Sequence, residues 1–126
     1  MRIIIVDDNE TDIKITLKIL EQLGSPYTTE VFNDGREALD YFSKQDPANQ
    51  KDKPDLILLD VVMPYMDGYT FIREAKGISY LKGVPIIVFT SQEAMGDLFK
   101  IEGAVDYVIK SFYAQELIDK IKRHLP

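Results

Sequence analysis

A chain of 126 residues is long enough for one hydrophobic core and too short for two, and the absence of cysteine excludes disulfides, thiolate metal sites and cysteine nucleophiles. Hydrophobic residues make up 45% and charged residues 29%, a soluble globular balance whose longest apolar runs have strand length and cannot span a bilayer. A net charge of −6 argues against nucleic acid as a direct partner, since phosphate backbones need a basic surface, and the single histidine, His124, argues against a histidine-based catalytic centre.

Five short apolar runs, over residues 2–6, 27–32, 56–59, 84–89 and 105–109, each end in polar or turn residues and predict strands. The first, third and fourth are nearly continuous Ile/Val/Leu, as suits strands covered on both faces. Helix-like stretches separate them. Ile13, Leu17 and Leu20 recur at helical spacing before Gly24, a C-terminal stop. Ala38, Leu39 and Phe42 mark a second helix with Asp34 as its N-cap. Residues 44–54, rich in lysine, Asn and Asp-Pro, read as a long exposed loop, expected to be the most flexible part of the chain. Phe71, Ile72 and Ala75 mark a third helix, running from about Asp67 towards Tyr80. Ala94, Met95, Leu98 and Phe99 mark a fourth, ending at Gly103, and Leu117, Ile118, Ile121 and Leu125 mark the last. Five successive β-α units imply a single α/β domain over residues 1–126. Its architecture is a doubly wound (βα)5, flavodoxin-like three-layer sandwich with right-handed crossovers.

Ligands of such sheets bind at the carboxyl ends of the strands, so the residues that follow each strand carry the chemistry. They are Asp7 and Asp8 after the first strand, Asp60 after the third, Thr90-Ser91 after the fourth and Lys110 after the fifth. The second strand ends in Phe32-Asn33, which offers little. A parallel five-stranded sheet of order 2-1-3-4-5 makes the four reactive strands neighbours at about 4.8 Å, with Lys110 starting roughly 10 Å from Asp60. Three converging carboxylates repel one another, and a hard divalent cation removes the conflict. All-oxygen donors favour Mg²⁺, Mn²⁺ or Ca²⁺ over zinc, and Mg²⁺ is the natural choice where phosphate oxygens complete the shell, with Mn²⁺ as a substitute. A cation, a lysine and a hydroxyl around a strand-end carboxylate fit phosphoryl transfer to Asp60 as nucleophile. Each element alone has a plainer role: Asp60 as a turn residue, Asp7-Asp8 as loop charge, Thr90 as a helix cap ahead of Glu93, Lys110 as surface. Their joint occurrence at four strand ends is what points to a site.

These residues lie in the stretches Ile-Ile-Ile-Val-Asp7-Asp8-Asn-Glu, Leu-Leu-Asp60-Val-Val-Met-Pro64-Tyr-Met-Asp67-Gly68, Val-Phe-Thr90-Ser91 and Gly103-Ala104-Val-Asp106-Tyr107-Val-Ile-Lys110. With them the whole chain resembles the response-regulator receiver domains of two-component signalling, chemotaxis receivers among them. The resemblance implies that Asp60 is the phosphoacceptor. It implies that Mg²⁺ is held by Asp8, by Asp7 through water, by Asp60 and by the Val62 carbonyl. Lys110 would pair with Asp60, Thr90 would be the switch hydroxyl and Tyr107 the switch aromatic, while the small Ser91 leaves the phosphoryl group room. It further implies a cytoplasmic switch, catalysing only its own phosphorylation and dephosphorylation. A sensor histidine kinase or histidine phosphotransfer protein would feed it. A downstream effector would read the face formed by the fourth helix, fifth strand and last helix. A stand-alone receiver and a domain excised at a boundary both fit this reading.

One position departs from the family pattern. Ser111 stands where proline usually follows the lysine through a cis peptide; a non-proline cis bond costs about 2.5–4 kcal/mol, so a trans bond is expected here. Three other readings compete. Asp7-Asp8-Asn9-Glu10-Thr11 approaches the motif of haloacid-dehalogenase phosphohydrolases, but Asn9 replaces the acid/base. A flavodoxin-like flavin module needs hydroxyls and amides where this chain has Asp7, Asp8 and Glu10. A receiver-shaped interaction domain that takes no phosphate would not need all five reactive positions.

Overall fold

The alternation of side chains along each strand decides which layer they join. In β1 (Arg2–Val6), Ile3 and Ile5 enter one apolar cluster while Ile4 and Val6 enter the other; in β3 (Leu56–Asp60), Leu56 and Leu58 part from Ile57 and Leu59 in the same way. All eight of these side chains are fully buried, each contributing on the order of 1.5–3 kcal/mol relative to exposure. This is the continuous apolar run of a strand covered on both faces. The remaining strands are β2 (Thr28–Phe32), β4 (Ile86–Thr90) and β5 (Asp106–Ile109). All pairings are parallel and the order is β2-β1-β3-β4-β5, as expected. The computed structural model describes residues 1–60, 67–90, 103–109 and 114–125.

Helices cover both faces. The cluster containing Ile4, Val6, Ile57 and Leu59 is closed by α2 (Gly35–Ser43), through Ala38, Leu39 and Phe42, and by α3 (Gly68–Lys76), through Phe71, Ile72 and Ala75. On the other face, α1 (Glu10–Leu20) contributes Ile19 and Leu20, and the C-terminal helix (Ala114–His124) contributes Leu117, Ile118 and Ile121. Each of the first three helices starts on an Asx cap: Asn9 accepts from the Asp12 amide, Asp34 from Arg36 and Asp67 from Thr70. The first ends through a short 3₁₀ turn, Glu21–Leu23, and Gly24 at φ 75°, a left-handed conformation that glycine adopts without penalty. The third stops at Lys76, short of the expected Tyr80; a separate 3₁₀ turn, Ser79–Leu81, carries Tyr80 into the core.

The loop over residues 44–54 is largely exposed, as its composition predicts, yet it is fastened. Asp46 accepts from the amides of Ala48 and Asn49 (both 2.9 Å), and Arg2 donates to the Asp52 carbonyl. The expected fourth helix (Ala94, Met95, Leu98, Phe99), Val62, Pro64, Ser91, Lys110 and the Lys110–Ser111 bond lie outside the described residues.

Candidate functional site

The site is built by register. Val6 pairs with Leu59, so the residues that follow them on the two strands, Asp7 and Asp60, come side by side. The ladder extends one step past β1, where the Asp7 amide donates to the Phe32 carbonyl at 3.0 Å. Asp60 in turn pairs with Phe89, which puts Thr90 one residue further along the neighbouring strand, and Thr90 pairs with Ile109, the residue before Lys110. Strand-end residues far apart in sequence thus meet along one edge of the sheet.

The carboxylates of Asp7, Asp8 and Asp60 converge: one oxygen from each lies within 4.8 Å of the others. Asp7 is fully buried and Asp60 is 3% exposed, whereas Asp8 faces solvent. Two unit charges at that separation, with an effective dielectric near 20, repel by about 3.5 kcal/mol. A buried carboxylate pair therefore calls for a counter-charge. The Asn9 amide donates to Asp7 Oδ1 at 2.9 Å and fixes that side chain within an Asx turn. Asn9 Oδ1 is occupied in capping α1, accepting from the Asp12 amide at 2.9 Å. That occupation leaves the side chain unavailable for the acid/base role a phosphohydrolase would need there.

Three carboxylates, one of them open to water, suit a hard, oxygen-seeking divalent cation, with room at Asp8 for water or a phosphate oxygen. The donor set fits no thiolate or imidazole metal chemistry. At the residues in contact the arrangement offers a buried nucleophilic oxygen at Asp60, two neutralisable charges beside it and an exposed entrance.

The structure brings together Asp7, Asp8 and Asp60 and sets the Thr90 backbone alongside; Lys110 and Val62 lie outside the described residues. Tyr107 sits on β5, half-buried against the cluster of α2 and α3. Sequence reasoning did not identify Asn9 as the residue that orients Asp7, although an Asn just before a periodic apolar stretch is a helix-start signal. It also passed over Asp106 at the opposite end of β5. That carboxylate is buried and faces Lys120 (3.5 Å), Arg123 (3.9 Å) and His124 (3.3 Å) from the C-terminal helix.

Residues 3–122 match the family model of the response regulator receiver domain. Protein PilG of Pseudomonas aeruginosa is 29% identical over 128 residues, covering 100% of this chain and 88% of that protein. Sensor histidine kinase CheAY of Helicobacter pylori is 33% identical over 125 residues, covering 98% of this chain but 15% of the kinase. The chain likewise spans about half the length of response regulator MprA of Mycolicibacterium vanbaalenii and of DNA-binding response regulator MtrA of Mycolicibacterium smegmatis. Among solved structures, the receiver domain of sensor histidine kinase PA1611 of Pseudomonas aeruginosa superposes with a TM-score of 0.80 at 30% identity, covering 98% of this chain and 95% of that one. That crystal structure has a magnesium ion coordinated in its active-site cleft.

Proposed function

The chain belongs to the response regulator receiver domain family of two-component signalling, and on that premise we propose that Asp60 is its phosphoacceptor and that Asp7, Asp8 and Asp60 hold a Mg²⁺ ion. The observation that carries the reading is the convergence of three carboxylates within 4.8 Å at the carboxyl ends of two adjacent parallel strands, with Asp60 buried among them. The Mg²⁺ bound in the PA1611 receiver supports magnesium as the ion; Mn²⁺ has the same preference for oxygen donors.

In this reading an Asp60 oxygen attacks the phosphorus of a phosphohistidine. The P–N bond breaks, its electron pair stays on the imidazole, and an acyl phosphate forms on Asp60. The bound cation supplies charge neutralisation at the phosphoryl oxygens. Asp7, held by the Asn9 amide, and Asp8, open to solvent, carry the negative charge that retains it. Lys110, next in the chain after Ile109, would meet the phosphoryl oxygens, and the Val62 carbonyl would complete the donor set. Thr90 is the hydroxyl that answers the new group, and Tyr107 the ring that responds. Hydrolysis of its own acyl phosphate would return the protein to rest. A histidine kinase or phosphotransfer protein is the donor. A downstream protein in the cytoplasm reads the face made by the fourth expected helix, β5 and the C-terminal helix. No helix among the described residues is long and apolar enough to cross a membrane.

The decisive test is chemical. Acetyl phosphate with Mg²⁺ should add one base- and hydroxylamine-labile phosphoryl group, seen by mass spectrometry, and Asp60→Asn should abolish it. Label retained in that variant would move the acceptor elsewhere.

A further inference from the structure

Lys120, on the C-terminal helix, contacts both the ring and the backbone of Tyr107 and is held by two carboxylates. Its Nζ lies 5.2 Å from the centre of the Tyr107 ring and donates to the Tyr107 carbonyl at 2.7 Å. Asp106 Oδ1 lies 3.5 Å and Glu116 Oε1 3.3 Å from the same ammonium. β5 is the edge strand of the sheet, and Tyr107 is paired to Val88 on its inner side. Lys120 therefore reaches around the edge and occupies a carbonyl on the outward side.

This set of contacts separates the ring from its cation mechanically. The carbonyl and the two carboxylates hold the ammonium through groups that do not turn with the tyrosine side chain. When the ring rotates about its Cα–Cβ bond, the ammonium stays where backbone and carboxylates keep it. The ring loses the cation over its face unless it returns.

We propose that Lys120 is a positioning residue for the Tyr107 switch, a fixed cation that holds the ring in its present orientation and so sets the resting population of the responding state. The proposal rests on the reading of Tyr107 as the residue that responds at the site, and adds what biases it. A ring shared between two orientations moves with the difference in contact between them, and a cation–π contact at a partly exposed site changes such a ratio roughly two- to five-fold.

The test is ¹⁹F NMR of fluorotyrosine-labelled protein, with the Tyr107 resonance assigned by its loss in Tyr107→Phe. Spectra are taken with and without beryllofluoride and Mg²⁺, for the parent, Lys120→Met and Lys120→Arg. In the parent, beryllofluoride should move the Tyr107 resonance. Lys120→Met should shift it part-way towards that position without beryllofluoride, by a roughly two- to five-fold change in population, and Lys120→Arg, which keeps a cation over the ring, should restore the parent spectrum. Thermal melts of all three identify any variant that fails to fold, in which case Lys120→Gln replaces Lys120→Met. A parent resonance that ignores beryllofluoride would overturn the switch reading and the proposal with it. A parent that responds while Lys120→Met matches its resting spectrum would overturn the proposal alone. So would an arginine variant that behaves like the methionine one, since loss of packing and not of charge would then be the cause.

Discussion

Replacing Asp60 with Asn removes a charge while keeping the shape of the side chain, and the electrostatics of the site predict a more stable protein. One oxygen from each of Asp7, Asp8 and Asp60 lies within 4.8 Å of the others, and unit charges at that separation repel by about 3.5 kcal/mol at an effective dielectric near 20. The Asp7–Asp60 pair is buried and keeps most of this penalty. Pairs involving the exposed Asp8 are screened by water and salt, to below about 1 kcal/mol each. Weaker hydrogen bonding by the amide and the lost attraction to the Lys110 expected beside it offset part of the relief, and a net gain of about 1–3 kcal/mol remains. The assay is urea unfolding followed by far-ultraviolet circular dichroism, first in chelator and then in saturating Mg²⁺. In chelator the midpoint of Asp60→Asn should exceed that of the parent by about 0.3–3 M, given slopes of about 1–3 kcal/mol per molar urea. Saturating Mg²⁺ should stabilise the parent more than the variant, because the ion does for the parent what the substitution has already done. Equal midpoints in chelator, or a gap that Mg²⁺ leaves unchanged, would refute the like-charge account of the site.

Asp8→Ala should weaken Mg²⁺ binding by at least about tenfold, the equivalent of ~1.4 kcal/mol, in an NMR titration; parent-like affinity would place the metal elsewhere. Gly103→Ala should cost about 1–3 kcal/mol. Gly103 has φ +123°, and an added Cβ would lie 2.6 Å from Lys76 Cε, so Lys76→Ala in the same chain should recover only the steric share of that loss. Tyr80 is 1% exposed, and its hydroxyl has no hydrogen-bond partner among the described residues; burial raises its pKa from the ordinary 10.0, with nearby Arg2 opposing. The stability that this raised pKa contributes is complete below pH 10 and is lost as pH climbs through the folded-state value. Tyr80→Phe should accordingly be neutral to about 1 kcal/mol stabilising at pH 7 and should flatten that alkaline loss in urea melts, which a parent-like alkaline limb would contradict.

The elements buried on both faces were the most legible in the sequence. β1 and β3 carry unbroken apolar runs because every side chain enters one of two clusters, and the acids that stop those runs sit where the ladder ends. β2 was legible for a different reason. It is the edge strand of its side, and the exposure of Thr28 and Thr29 against the burial of Phe32 shows in its mixed composition. The convergence of Asp7, Asp8 and Asp60 followed once the strand order was set, but that order is a long-range fact that no local pattern encodes. Lys120 and Asp106 were not legible. A lysine on an amphipathic helix ordinarily marks the solvent face, and an aspartate at the head of a strand ordinarily marks a turn. Their meeting depends on how the last helix crosses the edge of the sheet. His124 lies 3.3 Å from the buried Asp106, a structural place that counting histidines does not reveal.

The distribution of charge along the sheet explains how a site of mutual repulsion is tolerated. At the carboxyl ends of the strands, three acids crowd together. The amino ends carry ion pairs of their own. Arg2 bonds to Glu30 and to the Asp52 carbonyl, and its amide donates to Asp55 at 2.8 Å, which ties β1, β2 and the loop before β3 into one corner. Asp106, at the start of β5, is buried facing Lys120, Arg123 and His124, which pins the C-terminal helix to the other edge. Removing one partner of a buried pair is costly because the other charge is left uncompensated, whereas removing one of several like charges relieves strain. The same aspartate chemistry therefore acts in opposite senses at the two ends. Neutralising Asp60 should raise stability and abolish phosphorylation, while neutralising Asp106 should lower stability and leave Asp60 open to acetyl phosphate. Stability and phosphorylation measured together on those two variants separate the end that holds the fold from the end that receives the signal.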